Sequence, residues 1–130
     1  MRTTQRKGDI AVTRAILTFT EMGFDVALPI TESAAYNIIV DDGIGVHRVQ
    51  VRYSTGLDIE LRRVHSNSKG YVVKKAKPNV YDWLFVYSPT NGQYLIKDCL
   101  SNRRGIRVGE SHKIEKVLED LRVTEELATT

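Results

Sequence analysis

Tyr81-Asp82-Trp83-Leu84-Phe85-Val86-Tyr87 is the stretch that most limits how this chain can fold, since six of its seven side chains are apolar or aromatic. A strand that alternates turns one face to water, whereas one that does not alternate must be covered on both faces. The run therefore reads as the central strand of a sheet. Ser88-Pro89-Thr90-Asn91-Gly92 is a clear turn after it, and residues 93–97 return as a neighbouring strand.

The flanking sequence supplies the rest of the layers. After a basic arm over residues 1–7, Gly8-Asp9 opens a helical pattern to Met22, with Val12, Ala15, Ile16, Phe19 and Met22 on one stripe. Asp9 reads as a cap or first-turn acid, and Gly23 as the left-handed residue beyond the helix. A second helix is predicted over about 111–123, capped by Ser111, with Ile114, Val117, Leu118 and Leu121 on its stripe. Between the helices lie strand patterns at 24–29, 36–40, 46–52 and 57–64. The first is closed by Pro29, which suits an edge; the last alternates Leu57, Ile59 and Leu61 against Asp58, Glu60 and Arg62. Residues 65–78 are the most loop-like and most basic. The order helix, strands, helix predicts an α/β (α+β) fold, a mixed sheet with helices packed on it, in one domain of 130 residues.

Charge is unevenly placed. Residues 1–42 hold four basic and six acidic side chains, residues 43–109 twelve and four, and residues 110–130 three and six. A cationic centre between acidic flanks points to a polyanion partner, with nucleic acid the natural one. Cys99 is the single cysteine, which fits a reducing cytoplasm and a small packed hydrophobe. No apolar run approaches the ~18 residues that would read as a membrane span, and the polar N-terminus does not read as a secretion signal, so a soluble protein in the cytoplasm, close to the nucleoid, is expected.

In the strand at 46–52, alternation sets Val46, Arg48, Gln50 and Arg52 against His47, Val49 and Val51. Asn37 can then lie beside Gln50 and Arg52. An aspartate, a glutamine and a lysine in those places would make a metal-dependent phosphodiesterase site. The segments Lys7-Gly8-Asp9-Ile10, Tyr36-Asn37-Ile38-Ile39-Val40, Arg48-Val49-Gln50-Val51-Arg52 and Tyr81-Asp82-Trp83 follow one another in order and spacing. This set resembles the PD-(D/E)XK endonucleases, in particular the small intron-encoded homing endonucleases of bacteria, over residues 7–97.

The resemblance implies a restriction-endonuclease-like core and a role for each matched position. The helix glutamate of the family falls at Val12, its metal-binding aspartate at Asn37, its glutamine at Gln50 and its catalytic lysine at Arg52. Only Gln50 is retained. Magnesium seeks anionic oxygen ligands, and the guanidinium of Arg52 binds phosphate but does not shuttle protons. The expected cofactor is therefore none, with magnesium if the site is rebuilt from Asp9, Asp58 or Glu60. The alternative for those acids is a helix cap and a solvated strand face paired with arginines.

The expected function is sequence-specific binding of double-stranded DNA by a homodimer or higher oligomer, without cleavage and with transcription regulation as one role. An active magnesium-dependent homing endonuclease with a rearranged site is the alternative, and a protein-interaction module the third reading. The DNA-contacting set is Arg48, Arg52, Lys69, Tyr71, Lys74, Lys75, Lys77, Arg103 and Arg104, with Arg107 beside them. Tyr71 either stacks or pins a hairpin. His47, Trp83 and Phe85 read as packed residues, and His65 and His112 are isolated.

Overall fold

The computed structural model describes residues 3–61, 63–67, 70–74, 80–100 and 103–119. Helix α1 (Thr3–Glu21) precedes strands β1 (Asp25–Ala27), β2 (Ile38–Asp41), β3 (Val46–Tyr53), β4 (Asp58–Glu60), β5 (Arg63–Asn67), β6 (Gly70–Lys74), β7 (Trp83–Ser88), β8 (Gly92–Ile96) and β9 (Gly105–Arg107). A 3-10 turn at Glu110–His112 leads into helical backbone over residues 114–119. Strands β1-β2-β3-β7-β8 form a mixed sheet in that order, antiparallel except for the parallel pair β3–β7. The α/β fold with a central mixed sheet and helices is as the sequence predicts, and β1 is an edge strand.

Strand β7 lies between β3 and β8, and Leu84, Phe85 and Val86 are fully buried. Its alternate side chains feed two separate cores. On one face, Trp83 and Phe85 pack with Val49 and Val51 of β3 beneath Ala11, Ala15 and Phe19 of α1. Two alanines at i and i+4 let the helix backbone approach the sheet, and Phe19 then fills the space left further along. Val12, Ile16 and Met22 border this core, and Ile114 joins it from the C-terminal helical segment. On the other face, Leu84 and Val86 pack with Tyr94 and Ile96 of β8 and with Ile59, Leu61 and Val108. The antiparallel ribbon β4–β9 thus covers the second face, and both described helical segments lie on the first.

Several boundaries differ from the sequence reading, for physical reasons. Helix α1 starts at Thr3, so the expected basic arm is largely helical and Asp9 is interior, its carbonyl accepting from Thr13 Oγ1 at 2.8 Å. Gln5, Arg6 and Lys7 are good helix formers, and Gly8 costs only about 1 kcal/mol, which packing offsets. Lys7 also places its ammonium 5.7 Å from the centre of the Tyr53 ring. At the other end Gly23 is at φ +88°, its N–H donating to Thr20 O while the Phe24 N–H reaches back to Phe19 O. The Phe19 and Phe24 rings stack at 5.8 Å, completing a Schellman cap with its apolar contact.

The strand expected at 57–64 is two strands, β4 and β5. Leu61 donates its N–H to Arg104 O, prolonging the ribbon contact with the β9 side. The region read as loop at 65–78 contains most of the β5–β6 hairpin, with His65 opposite Val72 and Asn67 opposite Gly70. Val64, Tyr71, Val72 and Val73 are β-formers, which the surrounding lysines obscure in a charge-based reading. Ser111 falls inside the 3-10 turn, ahead of the helical backbone at 114–119, and the Gly109 N–H donates to His112 Nδ1 at 3.1 Å. The end of the predicted C-terminal helix, including Leu121, lies outside the described residues.

Candidate functional site

Asn37 stands one residue before β2, and its backbone N–H donates to Val49 O at 2.9 Å. Its Oδ1 accepts the Val51 N–H at 2.8 Å, so the side chain acts as the next rung of the β2–β3 ladder. Gln50 and Arg52 are two residues apart on β3, and their register partners on β7 are Leu84 and Val86. They therefore share the sheet face that carries the ribbon. Gln50 is only 6% exposed and donates through Nε2 to Ala35 O at 3.1 Å. Asn37, Gln50 and Arg52, with Ala34, Ala35 and Val51, line one cavity of about 210 Å³.

Three of the four matched positions thus meet. Val12 does not line this cavity; it borders the core between α1 and the opposite sheet face. The acids weighed as substitutes lie elsewhere. Asp9 lines a shallow cleft on the outer side of α1 with Arg6, Ile10 and Arg14. Asp58 and Glu60 line a groove along β4–β9 with Arg104 and Arg107, and Arg107 donates to Asp58 Oδ2 at 3.0 Å.

The donor set at Gln50 does not fit the magnesium that the resemblance implies. Magnesium demands near-octahedral oxygen ligands and usually one or two carboxylates. The described lining offers two neutral amides, one of whose oxygens already holds the Val51 N–H, beside a guanidinium. Among the described residues no three of His, Cys, Asp and Glu are grouped to hold a metal ion.

The expected DNA-contacting residues are differently engaged. Arg48 forks onto Asp82, Nε to Oδ2 and Nη2 to Oδ1, both at 3.1 Å, while its own backbone N–H donates to Oδ2 at 2.8 Å. The Asp82 N–H returns a bond to Arg48 O. Hydrogen bonding to Arg48 holds the Asp82 carboxyl below the usual carboxylate range, and the same bond holds the Arg48 guanidinium above its ordinary value. Arg103 and Arg104 are exposed. Tyr71 and Lys74 sit on β6, and Lys69, Lys75 and Lys77 lie outside the described residues.

His47 is packed as expected, on the opposite face from Gln50. Its ring stacks on Trp83 at 4.0 Å and hydrogen-bonds Asp42 Oδ2 at 2.9 Å. Burial alone would raise the Asp42 pKa, but donation from the Gly45 and Ile44 N–H groups and the His47 ring outweighs it and brings the value down. Tyr81 is 2% exposed, and burial pushes its hydroxyl up although the Leu100 N–H donates to it at 2.9 Å.

The pairing of Asp82 with Arg48 and the use of Ala35 O to hold Gln50 are absent from the sequence reading. The Asp-Trp at the head of an apolar strand was a signal for Asp82, but its partner depends on the parallel register of β3 and β7. Asp41-Asp42-Gly43 signals a turn whose carboxylates accept backbone N–H groups, as both do.

Among the described residues, no helix is long and apolar enough to cross a membrane. The sequence profile of the PD-(D/E)XK endonucleases matches residues 2–115. The solved structure of the bacterial homing endonuclease I-Ssp6803I superposes with a TM-score of 0.71 at 21% identity, over 98% of this chain and 97% of that one. Among curated proteins no sequence matches.

Proposed function

The chain belongs to the PD-(D/E)XK endonuclease family, and from that premise we propose that it is a sequence-specific double-stranded DNA-binding protein whose cleavage chemistry is lost. The observation that carries this reading is the lining of the Gln50 cavity, in which amides and a guanidinium stand where the family resemblance puts carboxylate and lysine. Metal-assisted hydrolysis needs an ion to activate water and to stabilise developing charge, and the described lining supplies no anionic ligand. Removing carboxylates also removes repulsion toward phosphate, so binding outlasts cutting. Arg52, the exposed Arg103 and Arg104, and the lysines at 69, 74, 75 and 77 are the proposed phosphate contacts. A homodimer on a palindromic site, acting as a regulator in the nucleoid-bearing cytoplasm, completes the proposal.

A second reading, an active magnesium-dependent homing endonuclease with a rearranged site, draws support from the likeness to I-Ssp6803I, itself a homing endonuclease. Two assays separate the readings. Plasmid incubated with Mg²⁺ or Mn²⁺ is expected to stay intact; scission that vanishes in Asp9→Ala or Asp58→Ala establishes the second reading instead. Gel shifts on random duplex are expected to show retention that falls steeply with salt, with a slope of about −0.9 per phosphate contact. Retention that is absent or indifferent to salt leaves the protein-interaction module as the surviving reading.

A further inference from the structure

We propose that the Asn37–Gln50–Arg52 cavity is an oxyanion site that seats one backbone phosphate of a duplex directly, with no divalent cation between protein and phosphate. This rests on the DNA-binding reading and adds to it the ligand of that cavity.

The hydrogen-bond pattern sets the polarity of the site. Asn37 Oδ1 is held by the Val51 N–H, so the end of the amide left for a ligand is the donor end. Ala35 O accepts from Gln50 Nε2, which fixes a side chain that is more than nine-tenths buried. Arg52 adds a guanidinium to the same lining. The Asn37 amide donor beside a cation forms a receptor for an anionic oxygen, and a guanidinium engages phosphate through paired N–H groups where an ammonium acts as a point charge. The change from carboxylate to amide and from lysine to arginine therefore inverts the preference of the cavity, from a cation that bridges to phosphate to the phosphate itself.

The test is fluorescence anisotropy of a labelled duplex with the full chain, in EDTA and in Mg²⁺ at matched ionic strength, across a salt series. The wild-type chain is expected to bind equally well, within about twofold, in both. Asn37→Asp restores a carboxylate; it is expected to weaken binding about tenfold in EDTA and to recover most of that loss in Mg²⁺. Arg52→Gln is expected to lower the salt slope by about one contact, roughly 0.9, while Arg52→Lys keeps the slope and guards against misfolding of the neutral variant. Wild-type binding that needs Mg²⁺ overturns the proposal. So does duplex binding whose affinity and slope are unchanged by both Asn37→Asp and Arg52→Gln, a result that leaves the DNA-binding reading standing. No salt-sensitive binding by the wild type removes that reading and this proposal together.

Discussion

Asp82 binds two strands with one carboxylate. It accepts from the backbone N–H and from the guanidinium of Arg48, and its own N–H returns a bond to the Arg48 carbonyl, so the start of the parallel pair β3–β7 is closed on both sides. Gln50 and Arg52 follow two and four residues along β3, so this clamp sets the register of the strand that carries them. Both partners are more than a third exposed, and solvent screening limits the pair to a modest contribution. Asp82→Asn is expected to lower stability by about 1 kcal/mol at neutral pH, read by urea denaturation. The pH dependence follows from the direction of the shifts. The folded-state pKa of Asp82 and of Asp42 lies below the ordinary carboxylate value. Their stabilisation is therefore complete above the unfolded-state value, about 3.9, and is lost as pH falls through the lower folded values. Trp83 fluorescence should report a wild-type stability that drops below about pH 4 and a shallower drop in Asp82→Asn; identical acid slopes would show that this carboxylate is not a titrating clamp.

Among the elements, those with a strong local period were legible and those made by distant partners were not. The 3.6-residue stripe located α1, the unbroken apolar run located β7, and alternation correctly sorted Gln50 and Arg52 from His47, Val49 and Val51. The ribbon β4–β9 was invisible because β9 has three residues and no pattern of its own; it exists only because Ile59 faces Ile106 across 47 positions of sequence. For the same reason the cavity around Gln50 was legible only as three side chains, without the Ala35 carbonyl that fixes one of them. Gly105 shows how closely the ribbon is fitted, since a Cβ there would stand 2.7 Å from Ile59 O, a backbone atom with no rotamer to yield. Gly105→Ala should push β9 off β4 and destabilise the chain by about 1–3 kcal/mol, measured by denaturant midpoint. A variant as stable as the wild type would mean that the ribbon slides at little cost and does not fix the second core.

The whole molecule divides by face. The helical face buries an apolar core with Val12 at its margin, while the ribbon face carries the Gln50 cavity and the exposed arginines of the β9 region. That division decides which of the positions matched to the family site can be changed without disturbing the core. Asn37→Asp and Arg52→Lys alter a polar cavity and displace no packed hydrophobe, so the double variant should fold, and it gains the anionic ligand that magnesium requires. If it binds Mg²⁺ while the wild type does not, its melting temperature will rise with Mg²⁺ by mass action, a stabilisation of about 2.7 kcal/mol at a hundredfold excess over Kd. Val12→Glu is different, because it sets a carboxylate against the α1–sheet core, where desolvation opposes charge. The triple variant is expected to melt below the double, since the third acid stands against that core and not in the cavity lining. A double variant whose melting temperature ignores Mg²⁺ would show that Asn37 and Arg52 do not occupy the metal-side positions of an endonuclease frame, and the assignment of the cavity as a converted cleavage site would fall with it.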